Sequence, residues 1–300
     1  MRHDAEGRFL HARGPLRFLD SETDFGSAKF VVIGAPLDVT GTFRAGYRDG
    51  PTAIRVASSQ LETYSFRYSL DADEVPIHDI GDLNVGFDVN QGVKIIEDTV
   101  AQVRSSGKIP LLLGGEHTIT FGGFLGSGAD KLVVFDAHLD LRDEYQGMTI
   151  SHATWLRRLS EKVHSDRILI VGGRATSSEE IASKPDGLRI LRSADLRSLG
   201  DELVKWVSDA ESCYLSVDMD FFDPAYAPGV GNPEPEGSSP SDFFDLLSLT
   251  KKPMVLGADV CEVIPTLDPS GITSILASKV LLELVSLVSS KDLAQGHGSI

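Results

Sequence analysis

Asp136, His138 and Asp140 occupy alternate positions of "DAHLDL", directly after the apolar run "KLVVF". A buried strand rarely ends in three ionisable groups, because unpaired charge in a core costs several kcal/mol. In extended backbone, side chains at i, i+2 and i+4 point to one face, so these three can converge on one point. Asp218 and Asp220 repeat the spacing in "YLSVDMD", "LLLGGEH" ends in His117, and Glu262 follows "LGADVC". His117, Asp136, His138, Asp140, Asp218 and Asp220 together offer two imidazoles and four carboxylates. This hard, oxygen-rich set suits Mn(II), and it is large enough for two ions bridged by shared carboxylates. Two divalent ions would neutralise the four carboxylates, and adding Glu262 would leave a site that prefers a cation. Without metal, carboxylates so crowded would repel one another and some would stay protonated.

An isolated "DMD" is commonly a turn or a helix cap. Here its spacing recurs on a second strand and a third strand supplies His117, which points to a metal site. Glu116 is expected to face away from that site as a supporting acid. His152 in "SHATWLRR" fits a helix start, with Ser151 as an ordinary N-cap. His3, His11, His78, His164 and His297 lie outside the strand-end pattern and are read as surface residues. "GSGAD" and "VGGRA" are glycine turns that lack the spacing of phosphate loops.

These positions require strands that end together. "KFVVIGAP" (29–36), "IPLLLGG" (109–115), "KLVVFDA", "DRILIVGG", "SCYLSVDMD" and "PMVLGADVCEV" read as short, continuous apolar strands. Helical segments are expected at 50–58, where Pro51 fits the first turn, at 89–103, 151–162, 194–208 and 240–249, and at 275–285. The alternation predicts an α/β chain with a mainly parallel sheet covered on both faces. The carboxyl ends of such strands gather at one edge, where these folds bind ligands.

Three hundred residues at 41% hydrophobic can bury a large core. One domain over 1–300 is expected, with 1–28 as an N-terminal extension packing on it. A net charge of -16 argues against an electrostatic hold on nucleic acid or on an anionic membrane, and suits a small cation. Cys213 and Cys261 sit in apolar runs and read as buried thiols. No uninterrupted apolar run approaches the ~20 residues that span a bilayer, and the N-terminus lacks a signal-peptide core, so the cytoplasm is the expected compartment.

"GGEHT" (114–118), "FDAHLD" (135–140) and "SVDMDFFDPAYAPGVGNPEPEG" (216–237) resemble the signatures of the ureohydrolase superfamily, the arginases and agmatinases. The resemblance extends to "GAPLDVTGTFRAGYRDGPTAIR" (34–55) and "DVCEVIPTLDPSG" (259–271), and so covers nearly the whole chain. It implies a three-layer α/β/α fold on an eight-stranded, mainly parallel sheet, with two Mn2+ per chain. By resemblance, His117, Asp136, Asp140 and Asp218 would hold one ion, and Asp136, His138, Asp218 and Asp220 the other. Glu262 matches the carboxylate that binds the guanidinium, His152 the proton-transferring histidine, and Asn232 a position where the family often has Thr lining the same pocket. Many members have GGDH where this chain has "GGEH", which bears on the support around the site and leaves the chemistry alone. A homo-oligomer, trimer or hexamer, is also implied.

The implied reaction is attack of a metal-activated water on a guanidinium, with Asp140 and His152 passing the proton to the departing amine. The loop "LRDEYQGMTISHATWLRR" looks like the agmatinase branch, so the expected reaction is agmatine to putrescine and urea, which would feed polyamine synthesis. Arg142, two residues past Asp140, could bind a carboxylate and keeps guanidinobutyrate, guanidinopropionate, arginine and formiminoglutamate open. A zinc-dependent deacetylase of related fold would need fewer carboxylates, and a non-catalytic metal-binding scaffold would not need Glu262 and His152.

Overall fold

The computed structural model describes residues 12–13, 16–193, 200–250 and 254–296. The apolar runs form strands β2 (Phe30–Ala35), β6 (Ile109–Gly114), β7 (Lys131–Phe135), β8 (Ile168–Gly173), β10 (Ser212–Asp218) and β11 (Met254–Cys261). With β1 (Ala12–Arg13), β5 (Ile77–Leu83) and β9 (Arg189–Arg192) they make one sheet in the order β1-β5-β2-β6-β11-β10-β7-β8-β9. Eight of its strands are parallel, and the two-residue β1 adds antiparallel to β5 at one edge. A small hairpin, β3 (Tyr64–Ser65) and β4 (Leu70–Asp71), stands apart from it.

Alternation along the strands builds two cores. Val133 and Phe135 of β7 enter a cluster with α1 (Gly50–Ser58), α6 (Gly200–Ser208), α7 (Pro240–Leu249) and α8 (Ile272–Gly296), through Ile54, Trp206, Phe243 and Leu281. Leu132 and Val134 face Phe121 and Phe124 of α3 (Ile119–Ser127) and Trp155 and Leu159 of α4 (Trp155–Ser160). Ile96 and Val100 of α2 (Val89–Ser105) cover Val31 and Ile33 on the same side. The result is the expected three-layer α/β/α arrangement, in which strands buried on both faces have no polar side and read as unbroken apolar runs.

The differences from the sequence reading have local causes. In β5, "IHDIGDL", the polar residues hide a strand whose Asp79 and Asp82 pair with the buried Arg55. His78, expected at the surface, is buried, with its Nδ1 2.7 Å from the Thr23 carbonyl oxygen, whereas His164 is exposed. His3, His11 and His297 lie outside the described residues. So do residues 194–199 of the predicted helix 194–208; its remainder is α6. The glycines of "ITFGGFLGS" conceal α3, where a Cβ on Gly122 would stand 2.5 Å from the Val93 carbonyl oxygen of α2. The segment 151–162 is helical only over Trp155–Ser160, and α8 is longer than 275–285. Residues Ile272–Ser290 of α8 have the length and mean hydropathy, 1.7, of a membrane-crossing helix, but 78% of that window is buried against the core. Phe18 and Leu19, within 1–28, are buried in the core.

At the carboxyl edge, the chain leaving β6 packs against the chain leaving β2. The Gly115 amide donates to the Ala35 carbonyl at 2.9 Å and the Glu116 amide to Leu37 at 2.7 Å. A Cβ on Gly115 would fall 2.1 Å from the Leu37 carbonyl oxygen. Gly115→Ala is therefore expected to cost about 1–3 kcal/mol by overpacking, read as a lower urea midpoint with unchanged slope.

Candidate metal centre and active site

Four neighbouring central strands deliver the site. β6 leads to His117, β11 to Glu262, β10 to Asp218 and Asp220, and β7 to Asp136, His138 and Asp140. All seven side chains converge as the sequence predicts. His117 Nδ1 stands 3.0 Å from Asp136 Oδ2, 3.1 Å from Asp218 Oδ2 and 3.3 Å from Asp140 Oδ2. His138 Nδ1 stands 2.8 Å from Asp220 Oδ2 and 3.7 Å from Asp136 Oδ1. Three ligand-type groups result among the described residues: His117 with Asp136 and Asp140, Asp136 with His138 and Asp220, and His117 with Asp218 and Cys261. Cys261 lies beside His117 and Asp218, a buried thiol with Sγ 3.7 Å from the Val217 carbonyl oxygen.

Backbone amides fix the carboxylates. His138 N donates to Asp136 at 2.6 Å, Asp220 N to Asp218 at 2.8 Å, Ala137 N to Asp220 at 3.1 Å, and His117 N to Glu262 at 2.7 Å. The Trp155 indole donates to Asp140 Oδ2 at 2.7 Å. Asp140 and Glu262 adopt left-handed backbone, φ 52° and 68°, which ordinary side chains avoid and which concentrates at functional sites.

His117 shows that the cluster fits a cation. Ser216 Oγ gives its proton to Asp259 at 2.7 Å, so at 3.1 Å from His117 Nε2 it accepts, and Nε2 carries the hydrogen. In the neutral ring Nδ1 is then a bare lone pair, buried, without a hydrogen-bond partner and facing three carboxylates. Only a proton or a metal ion relieves that arrangement. Protonation shifts say the same. Burial, Asp220 and Asp136 raise Asp218, and burial and Asp136 raise Asp140. Burial opposes charge on both histidines, but Cys261 and Asp136 around His117, and Asp220 and Asp136 around His138, outweigh it and raise them. Asp136 is lowered, because His117 and His138 outweigh its burial. Burial lifts Glu262 to about 8.

Above the cluster lies a cavity of about 400 Å³ lined by Glu262, His152, Asn232 and Arg142, all predicted from the sequence, and by Thr42, Tyr145, Arg174, Glu180 and Glu234, which were not. His152 is buried between Thr40 Oγ1, 3.3 Å from Nδ1, and Thr42 Oγ1, 3.5 Å from Nε2, so it is no solvent-facing helix-start residue. Glu116 faces away from the cluster. It accepts from the amides of Val39 and Thr40 at 2.8 and 2.7 Å and from the Thr40 and Thr118 hydroxyls at 2.7 and 2.9 Å. Arg142 lies over the Tyr145 ring, 5.1 Å from its centroid, and 3.9 Å from Glu180. Arg174 and Glu180 sit on and after the "VGGRA" turn, and Glu234 lies in "NPEPEG"; only a signal for loops meeting the strand edge could have found them.

Carboxylates and imidazoles gathered at the carboxyl edge of a parallel α/β sheet, under a polar cavity, define a metal-dependent hydrolase of the α/β/α class. A sequence profile described as "Arginase family" matches residues 28–286. An agmatinase of Pyrococcus horikoshii is 35% identical over 270 residues, covering 88% of this chain and 93% of that protein. The N(1)-aminopropylagmatine ureohydrolase of Thermococcus kodakarensis is 35% identical over 255 residues, 82% of this chain and 87% of that one. The crystal structure of the agmatine ureohydrolase of Thermoplasma volcanium superposes with a TM-score of 0.87 at 34% identity, covering 96% and 99% of the two chains. The chain belongs to the arginase family, whose members are binuclear metal-dependent enzymes acting on guanidino C–N bonds.

Two predictions follow from the protonation pattern and from Ser216. Asp140, Asp218, His117 and His138 all hold protons to higher pH than usual and must lose them to bind a cation, so Mn(II) affinity should rise with pH and fall on acidification. Calorimetric titrations in buffers of different ionisation enthalpy should show proton release. Ser216→Ala, which removes the acceptor that fixes His117, should weaken metal binding about 10- to 100-fold by equilibrium dialysis.

Proposed function

We propose that the chain is an agmatinase that hydrolyses agmatine to putrescine and urea with two Mn2+ ions. His117, Asp136, Asp140 and Asp218 would hold one ion, and Asp136, His138, Asp218 and Asp220 the other. The observation that carries the reading is His117 Nδ1, lone pair inward among three carboxylate oxygens at 3.0–3.3 Å. Oxygen-rich ligands with two imidazoles favour Mn(II) over thiol-preferring ions. When bound, the two cations supply an acidified water and offset the carboxylate charge.

The protein's own groups do the rest. Glu262, one oxygen committed to the His117 amide, orients the guanidinium by charge-assisted hydrogen bonds. Asp140, steadied by Trp155, takes a proton from the attacking water and passes it toward the departing amine. His152, held by Thr40 and Thr42 in the cavity wall, completes protonation of that amine, without which a C–N bond does not break readily. Asn232 lines the guanidinium end of the cavity in this reading.

Beyond Glu262, two arginines and two glutamates line the cavity wall. Both arginines are already engaged, Arg174 by carbonyl oxygens, which leaves a substrate carboxylate poorly served and supports an amine tail. Arg142, the cation that could receive a carboxylate, already faces Glu180, whose carboxylate is anchored by the amides of Leu141 and Ser177 at 3.1 and 2.9 Å. Glu234, partly exposed, adds a further negative group. A homo-oligomer, a cytoplasmic location and a place in polyamine synthesis belong to this proposal on the resemblance.

Urea release should be fastest from agmatine when compared with N(1)-aminopropylagmatine, guanidinobutyrate and arginine by kcat/KM; faster turnover of arginine would overturn the assignment. Glu262→Gln should lower kcat/KM about 10- to 100-fold through loss of charged hydrogen bonds. His152→Asn should lower kcat by about 10²–10⁴-fold with metal content unchanged.

A further inference from the structure

Arg174 leaves the end of β8 and, among the described residues, directs its guanidinium at carbonyl oxygens in place of an ion pair. Its Nη2 donates to the carbonyl oxygens of Asp220 at 2.7 Å and Glu234 at 2.8 Å, and its Nε to Pro235 at 2.9 Å. Weaker contacts reach Phe221 and Phe222 at 3.4 and 3.5 Å. The Arg174 amide donates to the Ala137 carbonyl at 2.8 Å, and Ala175 forms a parallel bridge with His138. The Arg174 side chain therefore joins segments 220–222 and 234–235 to the end of β8, while its amide and Ala175 hold 137–138 beside them.

Those segments surround a single ring. His138 Nδ1 meets Asp220 Oδ2 at 2.8 Å, and on its other side Nε2 stands 3.8 Å from Glu234 Oε1. The Asp220 contact orients the ring, while the Glu234 carboxylate, too far for a direct hydrogen bond, bounds its other side. His117 and Asp140, the two side chains peculiar to the other half, are secured by different contacts, Ser216 on His117 and Trp155 on Asp140. Neither involves Arg174.

We propose that Arg174 is a positioning residue for one half of the metal centre: by clamping the Asp220 and Glu234 backbones to the end of β8, it sets the His138–Asp220 ligand pair and so the retention of one of the two ions. The inference rests on the two-ion reading above. A planar guanidinium can serve Asp220, Glu234 and Pro235 together; a lysine ammonium on its single flexible stem cannot span them in the same geometry.

The test is calorimetric titration of metal-free protein with Mn(II), for the wild type, Arg174→Lys and Arg174→Ala, with electron paramagnetic resonance at each plateau. The wild type should take up two ions. Both variants should keep the tighter step within about threefold and weaken the other about 10- to 100-fold, the usual effect of losing support behind a ligand. At Mn(II) levels that fill the wild type, their spectra should then show isolated ions in place of an exchange-coupled pair. Arg174→Lys, which keeps the stem and the charge, decides the matter if circular dichroism shows Arg174→Ala unfolded. Two steps weakened equally, or both unchanged within threefold, would overturn the role of Arg174. A wild type that binds fewer than two ions would instead overturn the two-ion reading.

Discussion

Like charges brought together out of water are the constraint on which this molecule turns. Asp136, Asp140, Asp218 and Asp220 are all buried at the end of the central strands, where protons, two imidazoles, backbone amides and the Trp155 indole share the work of relieving them in the bare protein. Such a cluster weakens a fold unless something binds it. The sheet makes the crowding possible, since the chain segments that leave adjacent parallel strands at one edge lie close together, and large apolar layers on both faces stabilise the structure that carries the burden.

The protein orients these carboxylates largely with its own main chain. Amides of residues 117, 137, 138 and 220 each reach an acidic side chain, so most of the geometry is encoded in how the strands end. This explains the left-handed backbone at Asp140 and Glu262. Glu262 turns the chain directly after β11 and Asp140 five residues beyond β7, and each turn keeps its side chain at the site, where a continuing strand would carry it away.

The convergence of these side chains was legible in the sequence because strand burial is a strong rule and alternate polar residues at a strand end break it conspicuously. His117, Asp136, His138, Asp140, Asp218, Asp220 and Glu262 could be read that way, and the layer order followed from uninterrupted apolar runs. β5 could not, because its Asp79 and Asp82 are neutralised by Arg55, a partner from another element. The cavity wall was harder still. Arg174 works through carbonyl oxygens, which have no letter of their own in a sequence, and Glu180 and Glu234 arrive on loops whose paths depend on tertiary contacts. Arg142 was visible as a charge, but its neighbour Glu180, which alters its meaning for substrate choice, was not.

Glu116 joins His117 to the far side of the cavity. Its carboxylate gathers the amides of Val39 and Thr40, and Thr40 in turn receives the His152 amide at 2.9 Å. His152 is thereby hung, through one threonine, on the residue adjoining a ligand-type histidine. The side chain that spans this gap is a glutamate, and its length sets how far the 38–42 loop stands from the strand edge. Loop position and acid length are therefore coupled at this place: an acid one methylene shorter would leave His152 hung at a different height.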